Sequence, residues 1–419
     1  MASGRQSPPS GSRLGVGFVT LCGVFFAATV ASTVLGKKGN VAVPVFPLAL
    51  SALTALAGVA VYPLLFLGIL LADSRVDLPA RFLHRRGMLS LPSYALPATV
   101  GALFAAHNVL ANLGARGNVV PGPLVAILSK LVVPFSMSME ACAKALGYHH
   151  LYSRISVARL LAVVLLFAGV ALSVFGPEGK SFAAASGAST AAYVTQVAFL
   201  VTADIPLALG ILVVRQFYKA AADAAVPSGH GVTHELVFWW WVSLFELPWV
   251  IVLAPLSAYL QDFPMASLGR NARDGLACWV GGVDPSLASL DSYAKSTASV
   301  DCGYGSKMFY ASLVAGFAFN VCMPLLAVRA STTTLLWILR AAALPFAVLA
   351  FSLHIVMGTH ATPLHPWGLV GLALVLVALL VFTYSPRQPA ASDSTVEVGD
   401  AEAVASVALL GDRSVQRFE

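Results

Sequence analysis

The sequence predicts an all-α polytopic membrane protein in which ten transmembrane helices form two five-helix repeats of opposite orientation. Three observations lead there. Of 419 residues, 58% are hydrophobic and 11% charged, whereas soluble domains carry about 25% charged residues. A soluble fold of this length has no interior large enough for so much apolar surface. The apolar residues also gather into runs of about 20 or more, the length that a helix needs to cross a bilayer. Finally, the two halves of the chain echo each other.

The apolar runs fall at roughly 14–35, 43–72, 93–113, 119–141, 157–176, 190–213, 235–258, 308–329, 332–356 and 364–384. The polar head, 1–13, is too short for an ordinary transit peptide. The first run exceeds a signal-peptide core, so the first helix is expected to be retained. This divides the chain into an N-terminal tail, a first repeat over 14–176, a second over 190–384 and a tail over 385–419. The last tail is rich in Ser, Asp, Glu, Ala and Val, a composition that predicts flexibility. Connections are short except for 261–307, between the seventh and eighth runs. Basic residues such as Arg75, Arg81, Arg85, Arg86, Arg154, Arg159, Arg215 and Lys219 share one side if both termini are cytosolic. That bias predicts cytosolic termini and places 261–307 on the opposite side. The net charge of +6 is scattered through short loops, with no dense basic run interleaved with aromatics. It belongs to topology and does not point to nucleic acid.

The internal echo has three anchors. Asn108 through "LVVPF" at Leu131–Phe135 recurs as Asn320 through "AALPF" at Ala342–Phe346, and "VALSVF" at Val170–Phe175 recurs as "VALLVF" at Val377–Phe382. The lags run from 207 to 212 residues. Five spans per repeat is an odd number, so the copies point in opposite directions, as in transporters with a midplane site.

Charges within the runs are the candidate functional residues. Lys130 lies twelve residues past Asn118, about 18 Å into the bilayer. Arg340 lies nine residues past Ser331, about 14 Å in from the opposite side. A basic residue at the bilayer centre costs about 2.5–3.5 kcal/mol on insertion scales, so each is expected to face protein or a water-filled cavity. Asp204 and Glu246 balance them, each followed two residues later by a proline, Pro206 or Pro248. Proline withdraws a backbone donor and frees the carbonyl four residues earlier, here at Thr202 and Leu244. Pro134 and Pro345 stand at matching places in the two repeats. Helix breaks are expected near all four prolines, because broken backbone within a membrane lines cavities or lies buried in protein. The four charges make either a transport cavity or structural ion pairs that fix packing. Asn108 and Asn320 either line the cavity or bond helix to helix. His107 is expected to be a satisfied buried histidine.

Of five cysteines, Cys22, Cys142 and Cys322 lie in or beside apolar runs, where they read as small hydrophobes. Cys278 and Cys302 lie in the long connection. There they form either a disulfide, which a non-cytosolic compartment permits, or a pair of free or metal-binding thiols. No histidine lies between them to complete a zinc site. The sequence has no P-loop, GxSxG or HExxH motif. No enzyme activity, cofactor or metal is expected.

"RGNVVPGPLVAILSKLVVPFSM" followed by "YHHLYSRISVARLLAVVLLFAGVALSV" resembles the fourth and fifth helices of chloroquine-resistance-transporter-like proteins. "DGLACWVGG" with "VDCGYG" resembles that family's cysteine-bearing loop between helices seven and eight, and "FNVCMPLLAVRASTTTLLWILRAAALPF" its eighth and ninth helices. The resemblance covers about 36–384 and rests on the order and spacing of these segments. It implies the drug/metabolite transporter fold, with ten helices in a five-plus-five inverted repeat. Helices one to four and six to nine would line a central cavity, with five and ten peripheral. It also implies paired loop cysteines. Relatives export amino acids, peptides and cationic drugs from acidic vacuoles with protons, or move thiol peptides such as glutathione across plastid envelopes. The chain departs from the pattern at Met323 and Gly101, which stand where acidic residues would align, and in having one loop cysteine pair.

The resulting expectation is a proton-coupled secondary transporter of small organic solutes in a vacuolar or lysosome-like membrane, or else in a plastid envelope. Its partners would be the lipid bilayer, a small-molecule substrate and protons, with the chain a monomer or homodimer. Two other readings remain. One is a plastid or Golgi exchanger of sugar phosphates or nucleotide sugars, which two bases would suit. The other is a membrane receptor or scaffold that transports nothing.

Overall fold

The computed structural model describes residues 12–72, 94–146, 156–176, 189–222, 231–261, 264–284, 300–330 and 333–384. Among them there is no strand. The helices are α1 (Ser12–Ala42), α2 (Pro47–Ala72), α3 (Ala95–Ala115), α4 (Gly122–Leu128), α5 (Val132–Ala145), α6 (Val157–Phe175) and α7 (Thr190–Ala222). They continue as α8 (Gly231–Val252), α9 (Ala254–Leu260), α10 (Leu268–Gly281), α11 (Cys302–Ala330), α12 (Thr333–Ser352), α13 (His354–Met357) and α14 (Pro366–Tyr384).

Seven helices are long and apolar enough to cross a membrane among the described residues, or up to nine if the bent pairs α8–α9 and α12–α13 each count as one span. The protein is therefore an integral membrane protein. Side-chain exposure agrees: Leu160, Leu161, Val164 and Phe167 project outward from α6, and Trp367, Leu369, Val370, Val377 and Leu380 from α14. So much apolar surface is sustainable where lipid covers it.

Helix packing is pairwise. α1 lies along α11 and α12, α3 along α7 and α8, α2 along α8, α5 along α7, α4 along α12, and α6 along α14. Close approach depends on small residues at the crossings. A side chain at Gly101 of α3 would place its Cβ 2.8 Å from the Val242 carbonyl and 2.9 Å from the Glu246 nitrogen. An acid at that position would push α3 off α8, which gives Gly101 a packing reason. Gly122, at the start of α4, lies against the Phe351 ring with no room for a Cβ.

Three features differ from the linear reading. The first span runs on to Ala42 and so carries Lys37 and Lys38 within the helix. The long connection is partly helical: α10 occupies Leu268–Gly281, and α11 begins back at Cys302. The helices also run on through Pro206, Pro248 and Pro345. The bends fall later, 51° between α8 and α9 and 73° between α12 and α13. The chain breaks at Leu253, just ahead of Pro255, which opens α9 without a backbone donor, and at Leu353, whose backbone is extended.

Cys278 and Cys302 are joined in a disulfide. It ties the end of α10 to the start of α11. Trp279 is fully buried beside it and donates its Nε1 hydrogen to the Phe46 carbonyl at the head of α2, 3.2 Å away. α10 ends at Gly282, whose φ of 63° forms a left-handed cap. The bridge spans 24 residues, so its closure stabilises the fold by about 3 kcal/mol in the chain-entropy model. Non-reducing peptide mapping should find the two cysteines joined. Replacing both with alanine should lower the thermal unfolding midpoint of the purified protein, and an unchanged midpoint would refute the structural role.

Candidate functional site

The polar residues gather into two centres. The first lies where span four breaks. Pro134 has no N–H to give the carbonyl of Lys130 four residues back, so regular α-helix cannot close there. The chain tightens into a 3-10 turn at Ser129–Leu131 between α4 and α5. Lys130 sits on that turn. It lines a cavity with Ser129 and Ala126 from its own span, Thr29 and Thr33 from α1, and Arg340, Ala343, Leu344 and Ala347 from α12. The space is about 10 Å³, near that of a single water site. Arg340 also lies over the Phe319 ring, with its Cζ 5.3 Å from the centroid. The hydroxyls of Thr29, Thr33 and Ser129 donate to the carbonyls of Phe25, Thr29 and Ala126 on their own segments.

Asp204 of α7 belongs to the same centre. It is buried, its Oδ2 has no hydrogen-bond partner, and it interacts electrostatically with Lys130, as Arg340 does. The neighbouring Ala203 carbonyl is 2.8 Å from Nδ1 of His107, so that histidine is satisfied by backbone.

The second centre is built around Glu246 of α8. Asn108 of α3 donates to its Oε1 at 2.6 Å. Asn320 of α11 donates to the Tyr62 hydroxyl of α2 at 3.0 Å. Tyr62 lies within electrostatic reach of Glu246. Four helices thus join in a chain of contacts that ends on the Glu246 carboxyl. The structure thereby separates what the sequence left together: Asp204 accompanies the two bases, whereas Glu246 joins the two asparagines. Tyr62 went unnoticed in the sequence, although a buried tyrosine hydroxyl normally has a partner.

Lys37 also escaped the linear reading. It is 3% exposed and donates to the carbonyls of Ala115 and Gly117, both at 2.8 Å. These carbonyls lie at and just beyond the C-terminus of α3, where backbone acceptors lack helical partners and the helix dipole favours a cation. Lys38 donates to the Val356 carbonyl and lies over the Tyr304 ring. Asn40 bonds to Asn112, which in turn donates to Ser51. The end of α1 is thereby fastened to α2, α3, α11 and the α12–α13 bend. The adjacent "KK" in an apolar run was the available signal, but adjacency to the predicted end of the span made it look like a flank.

The family model described as CRT-like, chloroquine-resistance transporter-like, matches residues 19–382. The chain belongs to this transporter family. The match covers nearly the whole chain, including both polar centres and the disulfide. Comparison of the sequence with curated proteins gives no match.

Replacing Lys37 with Met should leave two carbonyls without their donor. Loss of a buried hydrogen-bond partner costs about 1–3 kcal/mol, and thermal unfolding of the purified variant should show that loss. An unchanged midpoint would mean that other groups cap α3.

Proposed function

We propose that this CRT-like protein is a proton-coupled secondary transporter of small organic solutes in an endolysosomal or vacuolar membrane. Its substrates would be amino acids, short or thiol peptides, or cationic drugs. The observation that carries this reading is the cavity shared by Lys130 and Arg340 with Asp204 close to Lys130. The anionic end of a substrate meets the bases. Protonation of Asp204 from an acidic lumen removes their competing negative charge and so favours the anion. Reciprocally, the bound anion favours the proton, which is the thermodynamic basis of symport. Glu246, held by Asn108, supplies a second carboxyl for an amine or a proton. Drugs that lack an anionic group would depend on this second centre.

Ten spans in two inverted five-helix repeats follow if α11 and both bent pairs are counted as spans. The packing pattern supports this reading. Exchanging the halves turns α1–α11 into α7–α3 and α1–α12 into α7–α5, while α2–α8, α4–α12 and α6–α14 exchange with themselves. An organic solute would need α1, α4–α5 and α12 to part around this cavity. Both termini would be cytosolic, with 261–307 on the lumenal face. Protease cleavage of that segment from the cytosolic face would overturn the orientation.

The exchange of sugar phosphates is the second reading, supported by the two bases and three hydroxyls around one cavity. Competition separates the readings: a dipeptide should inhibit uptake under the first and a sugar phosphate under the second. Lys130→Met, which keeps the length and removes the charge, should reduce uptake in proteoliposomes at least tenfold at matched protein levels. Lys130→Arg should retain part of it, since the contact is to a point charge. Normal affinity and normal pH dependence in Lys130→Met would leave Lys130 as a packing residue.

A further inference from the structure

The second centre contains the same arrangement twice. α2 and α8 run antiparallel: Leu48 shares an apolar cluster with Val250, and Tyr62 and Phe66 share one with Leu236 and Val237. The two helices cross where Gly58 meets Ser243, with no room for a Cβ. Tyr62 lies four residues past that point on α2 and Glu246 three past it on α8, about one helical turn in each case. Because the helices oppose each other, the two residues lie on opposite sides of the crossing. Glu246 is on the side of 261–307, toward which α8 and α9 run. Each accepts a hydrogen bond from an asparagine of the other half of the chain. Asn108 of α3 donates to Glu246 at 2.6 Å, and Asn320 of α11 donates to Tyr62 at 3.0 Å. Asn108 and Asn320 are an anchor of the internal repeat, so exchanging the halves turns one bond into the other.

The acceptors differ in their response to acid. A carboxylate holds an amide hydrogen about twice as strongly as a neutral oxygen does, and protonation removes that advantage. A phenol ordinarily ionises only at about pH 10, so Tyr62 stays the same acceptor in neutral and acidic solution. Acid therefore loosens Asn108–Glu246 and leaves Asn320–Tyr62 as it is. Of the titratable groups on helices packed against α8, Tyr62 of α2 is within electrostatic reach of Glu246. His107 of α3 is bonded to the Ala203 carbonyl of α7, and Cys322 of α11 packs with Phe25 and Leu326. Tyr259 of α9 is exposed, and Tyr304, Lys307 and Tyr310 lie near the start of α11, away from Asn320.

We propose that Asn108–Glu246 and Asn320–Tyr62 are paired clasps of the transport cycle, one toward each face, and that protonation of Glu246 releases the clasp toward 261–307. α3 and α8 then part beyond Gly101, where their backbones lie in contact two turns before Asn108. Tyr62 is the proton-insensitive counterpart and holds α2 to α11 toward the other face. Protons thus gain a task besides the one at Asp204, since they choose which face opens. The proposal rests on the inverted-repeat transport reading above, and the four residues act in it by positioning helices.

The test uses the purified full chain in lipid nanodiscs with its disulfide intact. Cys22, Cys142 and Cys322 are replaced by alanine, and spin labels are carried on cysteines introduced at Asn118 and Tyr259. Both positions are exposed, one just past α3 and one on α9. Between neutral and mildly acidic buffer, the population with widely separated labels should rise by about tenfold, the ratio allowed when one hydrogen bond loses its charge assistance. Glu246→Gln should give the separated population at neutral pH and no further response to acid. Asn108→Leu, which removes the donor, should do the same and serves if Glu246→Gln folds poorly. Tyr62→Phe should keep the acid response. A wild-type distance indifferent to pH, an acid response retained in both Glu246→Gln and Asn108→Leu, or an equal loss of it in Tyr62→Phe would overturn the proposal. If the distance ignores pH while Lys130→Met still loses dipeptide uptake, the clasp falls and the transport reading stands. If the distance responds through Glu246 while the wild type moves neither a dipeptide nor a sugar phosphate, the proton-operated clasp stands and the transport reading falls.

Discussion

A charge in the middle of a bilayer is tolerated only where protein supplies its partners, and much of this structure follows from that constraint. Lys130, Arg340 and Asp204 lie on three different spans, and none can be accommodated by its own helix. They become acceptable when α1, α4–α5, α7 and α12 close around them. The same rule operates at Glu246, where α3 brings Asn108 to the carboxyl, α2 brings Tyr62 near it and α11 brings Asn320 to the Tyr62 hydroxyl. The polar centres therefore act as assembly constraints as well as candidate binding groups.

Backbone groups obey the constraint too. Helix termini expose carbonyls that lipid cannot satisfy. Here Lys37 satisfies those at the end of α3, and Lys38 the one at Val356. Because both lysines come from α1, one helix end fastens several others. Any opening of the bundle at this end must exchange those bonds for water or substrate contacts. α1 also supplies Thr29 and Thr33 to the cavity, so one helix carries both the fastened end and part of the cavity wall.

Local sequence chemistry places the central base. Pro134 denies Lys130 a helical partner for its carbonyl, and the resulting 3-10 turn sets the lysine at the cavity. Pro206, Pro248 and Pro345 have no comparable effect, since their helices continue. The difference lies in context. α4 ends after seven residues, ahead of Pro134, whereas Pro206, Pro248 and Pro345 lie inside helices of 33, 22 and 20 residues.

The sequence by itself determined the membrane-spanning, all-helical class and the family resemblance, because apolar run length and motif order are linear properties. It also marked Lys130, Arg340, Asp204 and Glu246, since a charge inside an apolar run is visible without a fold. The disulfide was one of two readings, and proximity of Cys278 to Cys302 decided it. Tertiary structure alone decided which acid accompanies the bases, because α3, α7 and α8 are brought together by packing between residues far apart in the chain. It also decided that Lys37 belongs inside the first span. Whether a lysine at a helix end is buried depends on acceptors elsewhere, and the carbonyls of Ala115 and Gly117 that hold it come from the end of a different helix and the turn after it, about eighty residues away. Hydropathy records the composition of one segment, and partners of that kind exist only once the segments have been assembled.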